Sequence, residues 1–330
     1  MAPVNQSPRQ SPTGPLGLDP VVAGTACCVI SALGYTGSNI CMRNLAQPEN
    51  VGHAMWAVCN KEVVTVAVMG PWLLWQAFRR KSVVPSYRVL GLLVAVGLAV
   101  QLGANTGVQW AFGQVGLAVT VPAIFAVLLT ASAVLGLVFL GERVSRRSAA
   151  AIGTLLFSLV LLGLAAAAAG KSTAIASSLT AVLGIAAACG AGAIYAVLTI
   201  TIRHAATGVT PIGTIVFVTT FMGVLTLGPL SARLLGTETL LSTTPQEFAW
   251  MYAAGTLNLI AFLAITKGLE LTTVVHANVL NASQVTMAAV AGMMLFNEPL
   301  TGWLIAGACL TIMGVLMIDR PAERDVDLHA

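Results

Sequence analysis

Lys61 and Glu62 set an ammonium beside a carboxylate inside a long apolar run. A charge near the centre of a spanning helix costs a few kcal/mol, so such a pair is a candidate for function before anything else. Counted from an apolar segment that starts near Val51, the pair lies ~15 Å deep, close to the bilayer midplane. Burial disfavours the charge on Glu62, and the adjacent ammonium favours it. A carboxylate held between those opposing influences can change protonation with access to water, which suits proton coupling. Consecutive helix positions point about 100° apart. Either one side chain faces a central cavity and the other a neighbouring helix, or both border the cavity at its edge. The plainer alternative is a structural ion pair.

Uncharged polar residues form a second set. Asn39 falls late in the first apolar segment, and Asn60 stands beside the charged pair. Gln101, Asn105 and Gln109 recur every four residues, a polar stripe on one helix face. Later come Asn258, then His276, Asn278, Asn281 and Gln284 close together. One buried amide commonly ties two helices for ~0.6 kcal/mol. A stripe facing a cluster is better read as the lining of a polar cavity. The candidate substrate-binding or coupling residues are therefore Lys61, Glu62, Asn39, Asn105, Gln109, Asn278 and Asn281. Trp56 joins them because it lies about one and a half turns from Lys61. Trp72, Trp75 and Trp110 read as interface anchors.

Other classes fit less well. Apolar residues make up 57% and charged residues 8% of the chain, with a mean hydropathy of +0.88. A soluble domain carries roughly a quarter charged residues, so the fold class is an all-α integral membrane protein. Every aspartate (Asp19, Asp319, Asp325, Asp327) lies at or beyond an end of the apolar body, against an aspartyl protease. No HExxH motif occurs, His276 is the only deeply embedded histidine, and the six cysteines show no metal-ligand spacing. No enzyme activity, metal or cofactor is expected. No ring of like charges or carbonyl filter marks a channel. A non-transporting scaffold or receptor remains the alternative of another class.

About 20 apolar residues cross the hydrocarbon, and that ruler yields ten segments. They run near 20–42, 51–78, two within 89–140, then 148–168, 179–202, 210–230, 248–266, 271–295 and 301–318. Val89–Leu140 holds no charge and is too long for one crossing, so Gly113–Gly116 is the expected turn. Pro122 then falls early in the fourth helix, where it can bend the chain. A longer polar loop is expected over Ser231–Glu247. With the N-terminus inside, twelve of the sixteen basic residues face the cytoplasm. Arg43, Lys171 and Arg233 face outside, and Lys61 lies within the membrane. Both termini are then cytoplasmic, and the expected location is a plasma membrane, the inner membrane of a bacterium. The expected units are a flexible tail over 1–19, five-helix repeats over 20–169 and 178–318, and a tail over 319–330.

The repeat shows at two hinges. Phe139-Leu140-Gly141-Glu142-Arg143 joins two apolar helices, as does Leu295-Phe296-Asn297-Glu298-Pro299 farther on. Glu142 and Glu298 read as residues that cap or fasten these hinges, and Gly307 and Gly314 share a face of the last helix. Five crossings per half force the second copy upside down, giving two inverted repeats with a site between them. Hinges of this kind, each followed by a glycine-bearing helix, resemble the EamA-type transporters of the drug/metabolite transporter superfamily. The resemblance implies export or exchange of a small metabolite by alternating access, driven by an ion gradient or a counter-substrate. Amino acids, their derivatives and sugars, including nucleotide sugars, stay open as cargo. The expected partners are a small-molecule substrate, the lipid bilayer and a coupling proton or counter-substrate, with no nucleic acid. Homodimerisation stays open.

Overall fold

The computed structural model describes residues 20–47, 50–81, 83–140, selected positions between 147 and 165, 178–206 and 210–317. Glu142, Gly141, Arg143 and both tails lie outside the described residues. Among the described residues there is no strand. The helices are α1 (Pro20–Asn44), α2 (Val51–Phe78), α3 (Tyr87–Val115), α4 (Leu117–Leu140), α5 (Ser178–Ala206), α6 (Ile212–Leu235), α7 (Thr237–Leu241), α8 (Pro245–Leu271), α9 (Val274–Asn281), α10 (Gln284–Phe296) and α11 (Gly302–Met317). The described positions between 147 and 165 are helical as well.

Among the described residues, eight stretches are long and apolar enough to cross a membrane: α1, α2, α3, most of α4 and α5, α6, α8, and 276–296 within α9 and α10. The last helix carries a shorter apolar stretch over Gly302–Gly314. Helices satisfy their own backbone groups, which is why an apolar chain can cross lipid in this form. Exposed side chains such as Leu33, Leu74, Leu183 and Ile260 are apolar, as a lipid-facing surface requires.

Local chemistry sets the ends. Asn50 caps α2 by accepting from the Gly52 amide at 2.9 Å. Thr244 and Glu247 form a capping box at the start of α8. Thr273 accepts from the His276 amide at the start of α9. The turn expected within 113–116 falls at Gly116, whose φ of 79° is open to glycine at little cost.

Two boundaries differ from expectation. Ser231 and its neighbours are not loop, because α6 runs on to Leu235 and α7 follows Gly236 at once. The Ser231 hydroxyl is buried and donates to the Gly228 carbonyl at 2.9 Å, so it satisfies itself within the helix. The ninth segment is not one helix starting at Leu271. It begins at Val274 and breaks at Ala282–Ser283 into α9 and α10.

Packing is mostly between early and late helices. α1 lies along α8, α2 along α6, α4 along α5, and α3 along α5 and α6. Small residues permit the close approaches. At Gly255 on α8, an added Cβ would run into the Lys61 carbonyl and Val64 on α2.

Candidate functional site

One cavity of about 1140 Å³, including space open to solvent, lies among α1, α2, α3, α4, α5, α6, α8, α9 and α10. Lys61 and Glu62 both line it, although they are consecutive on α2. They are 7% and 1% exposed, and their side chains meet at 3.1 Å from Nζ to Oε1. The edge arrangement therefore holds: both border the cavity and pair with each other.

Further support comes from other helices. Asn105 Nδ2 on α3 donates to Glu62 Oε1 at 3.3 Å and to Gln101 Oε1 at 2.8 Å. Tyr195 on α5 donates its hydroxyl to Asn105 Oδ1 at 2.6 Å. The charged pair is thus tied through α3 to a helix from the later part of the chain. In a polar chain of this kind, breaking one member leaves the others unsatisfied.

A local irregularity lies here. Val100–Asn105 winds as a π-helix within α3, a form that clusters at functional sites. Gln101 and Asn105 both belong to this segment, and both line the cavity. The Thr106 hydroxyl donates to the Gln101 carbonyl at 2.9 Å inside the wide turn, and Gln101 Nε2 donates to the Thr219 carbonyl on α6 at 3.1 Å.

Of the residues singled out from sequence, Lys61, Glu62, Asn39, Asn105, Gln109, Asn278 and Asn281 all line the cavity, as do Gln101, Asn258 and Gln284. Gln109 Nε2 donates to the Met42 carbonyl at 3.0 Å, and Asn278 Nδ2 to Ser132 Oγ on α4 at 3.0 Å. Glu62 Oε2, Gln109 Oε1 and Asn281 Oδ1 are buried acceptors with no protein partner. Trp56 lies outside the lining. Its indole donates to Thr243 Oγ1 at 2.9 Å and meets Phe248 edge-on at 6.4 Å. Asn60 Nδ2 donates to the Trp56 carbonyl on its own helix, and His276 Nε2 lies 3.1 Å from Thr25 Oγ1.

Tyr35, Tyr195, Ser38, Thr199, Thr219 and Thr220 also line the cavity and were not singled out. Tyrosine and threonine in apolar helices resemble ordinary packing. The one available signal was spacing: Tyr35 and Tyr195 lie roughly 160 residues apart, close to the separation of the hinges.

Of the hinge residues, Pro122 sits buried in the second turn of α4. Glu298 fastens three elements. Its Oε1 accepts from the Leu117 amide at 2.8 Å and from Arg43 Nε at 3.0 Å, and its Oε2 accepts from the Ala118 amide at 2.8 Å. The negative charge thus sits on the N-terminus of α4, where the helix dipole favours it.

Residues 182–319 match the model of the EamA-like transporter family. No curated protein matches the chain. Among 27 matching chains of solved structures is one described only as "Crystal structure of protein". It is 15% identical, the similarity covers 90% of this chain and 94% of that one, and the TM-score is 0.59. At that identity the likeness speaks for the fold alone. Over 182–319, which includes Glu298 and leaves out the 139–143 hinge, the chain is EamA-like, consistent with an EamA-type transporter of the drug/metabolite transporter superfamily.

Proposed function

We propose that the protein is a secondary-active carrier that moves a small polar metabolite, such as an amino acid or a derivative, by alternating access. The observation that carries this reading is the cavity with a buried ion pair on its wall and amide side chains from early and late helices around it. A scaffold gains nothing from two ionised groups buried at that depth, whereas a carrier can use them to read charge on a solute or to couple a proton. Glu62 is the coupling carboxylate, and Lys61 reads an anionic group on the cargo.

In this reading ten crossings form two inverted sets of five, with the site between the halves. The packing supports this arrangement. Counting 147–165 as the fifth crossing makes α5, α6, α8, α9–α10 and α11 the second set. The pairing of α1 with α8 then corresponds to that of α5 with α3. The pairing of α4 with α5 corresponds to that of α9–α10 with α1, and α2 with α8 to α6 with α3. The pair of α2 with α6 maps onto itself. Both termini lie in the cytoplasm, and the membrane is a bacterial inner membrane.

A thermal-shift screen of the purified protein against metabolite pools tests the reading. A true cargo stabilises the folded protein by mass action. It must then accumulate in proteoliposomes under an imposed gradient and not in protein-free vesicles. Stabilising compounds that never cross would reject the carrier.

A further inference from the structure

We infer that Glu298, Arg43 and the first two amides of α4 form a latch that shuts one end of the cavity and must part when that end admits solute. The inference rests on the carrier reading, yet the latch uses none of the residues assigned to binding.

The sequence builds the latch locally. α10 ends at Phe296, Asn297 turns the chain with a left-handed φ of 50°, and Pro299 keeps the helix from resuming. Glu298 is thereby thrown across to α4 and α1. Its carboxylate accepts from the Leu117 and Ala118 amides and from Arg43, whose guanidinium lies 5.3 Å from the centre of the Phe296 ring. Two of the joined elements, α1 and α4, come from the early part of the chain. The third, the α10–α11 link, comes from the late part.

The position is that of a closure. Met42, next to Arg43, lines the cavity, and so does Val121, about one turn beyond Leu117 and Ala118. The latch therefore stands beside the cavity wall at that end. Space for the carboxylate is kept by two glycines, one on each side. A Cβ at Gly116 or at Gly292 would collide with the Glu298 carboxylate oxygens.

The chemistry suits a contact that opens and shuts. Charge-assisted bonds from a guanidinium and two helix amides are strong while the groups face each other. Once parted, carboxylate, guanidinium and amides are all satisfied by water. An apolar junction would instead expose hydrocarbon each time it opened.

The test follows water access to one buried position. The six native cysteines are replaced, and Ser38, which lines the cavity, becomes the only cysteine through Ser38→Cys. A membrane-impermeant maleimide is offered separately to each face of oriented vesicles. With the latch intact, labelling is expected from one face only. Arg43→Met, Glu298→Gln and Gly292→Ala, which disturb the latch by three different chemistries, should each raise labelling from the other face severalfold. Single-faced labelling that stays unchanged in all three variants, with wild-type melting retained, would overturn the latch and leave the carrier standing. Labelling from neither face in any variant, or equally from both faces in the parent, would overturn the carrier reading and the latch together.

Discussion

On α2 the early half of the chain presents Lys61 and Glu62 to the cavity; on α6, packed against it, the late half presents Thr219 and Thr220. The two walls obtain their partners differently. Each threonine hydroxyl donates to a carbonyl on its own helix, Thr219 to Ile215 at 2.8 Å and Thr220 to Val216 at 2.8 Å. The charged pair depends on Asn105 from α3, which is held by Tyr195 from α5. The threonine hydroxyls are satisfied within α6, which meets α3 through the Thr219 carbonyl and Gln101, whereas the charged pair finds its side-chain support on other helices.

The contrast breaks most sharply at Lys61. Lys61→Met leaves the Glu62 carboxylate buried without its cation, and breaking one partner of a buried pair costs about 3–5 kcal/mol. Thermal unfolding should fall steeply for this variant, and Lys61→Met with Glu62→Gln should recover most of the loss. A single variant as stable as the parent would show that the pair does not act as a unit. An intermediate effect is expected at the glycines behind each wall. Gly255→Ala forces a methyl against the Lys61 backbone, an overpacking cost of about 1–3 kcal/mol. Gly223→Ala meets the Gln101 side chain rather than a backbone atom, and should cost less. Equal losses would mean the two walls are equally rigid. The smallest effect belongs to Thr219→Val and Thr220→Val, each about 1 kcal/mol or less in the same unfolding assay, the net worth of one hydrogen bond. A larger loss at either would show that its hydroxyl has partners beyond its own helix.

Much of this is legible in the sequence. The apolar runs located α2 over Val51–Phe78, and Gly116 declared the turn between α3 and α4, because both rest on length and backbone freedom. The polar stripe on α3 and the amides of α9 did converge on one cavity, since polar side chains in lipid have few other places to go. What stayed hidden depends on geometry no spacing reveals. The π-helix at 100–105 has an ordinary sequence, and the break at Ala282–Ser283 carries no proline or glycine. Tyr195 became visible only when α5 was placed against Asn105. Trp56 illustrates the opposite case: close to Lys61 along the helix, it turns to Thr243 instead of the cavity.

The central claim is that Glu62 couples a gradient to movement through this cavity. Gradient-driven uptake of an identified cargo into proteoliposomes, parent against Glu62→Gln, tests it most directly. The account predicts loss of driven accumulation across the pH range by a variant that still folds and still binds cargo. Accumulation at the parent rate, with the parent pH dependence, would contradict it.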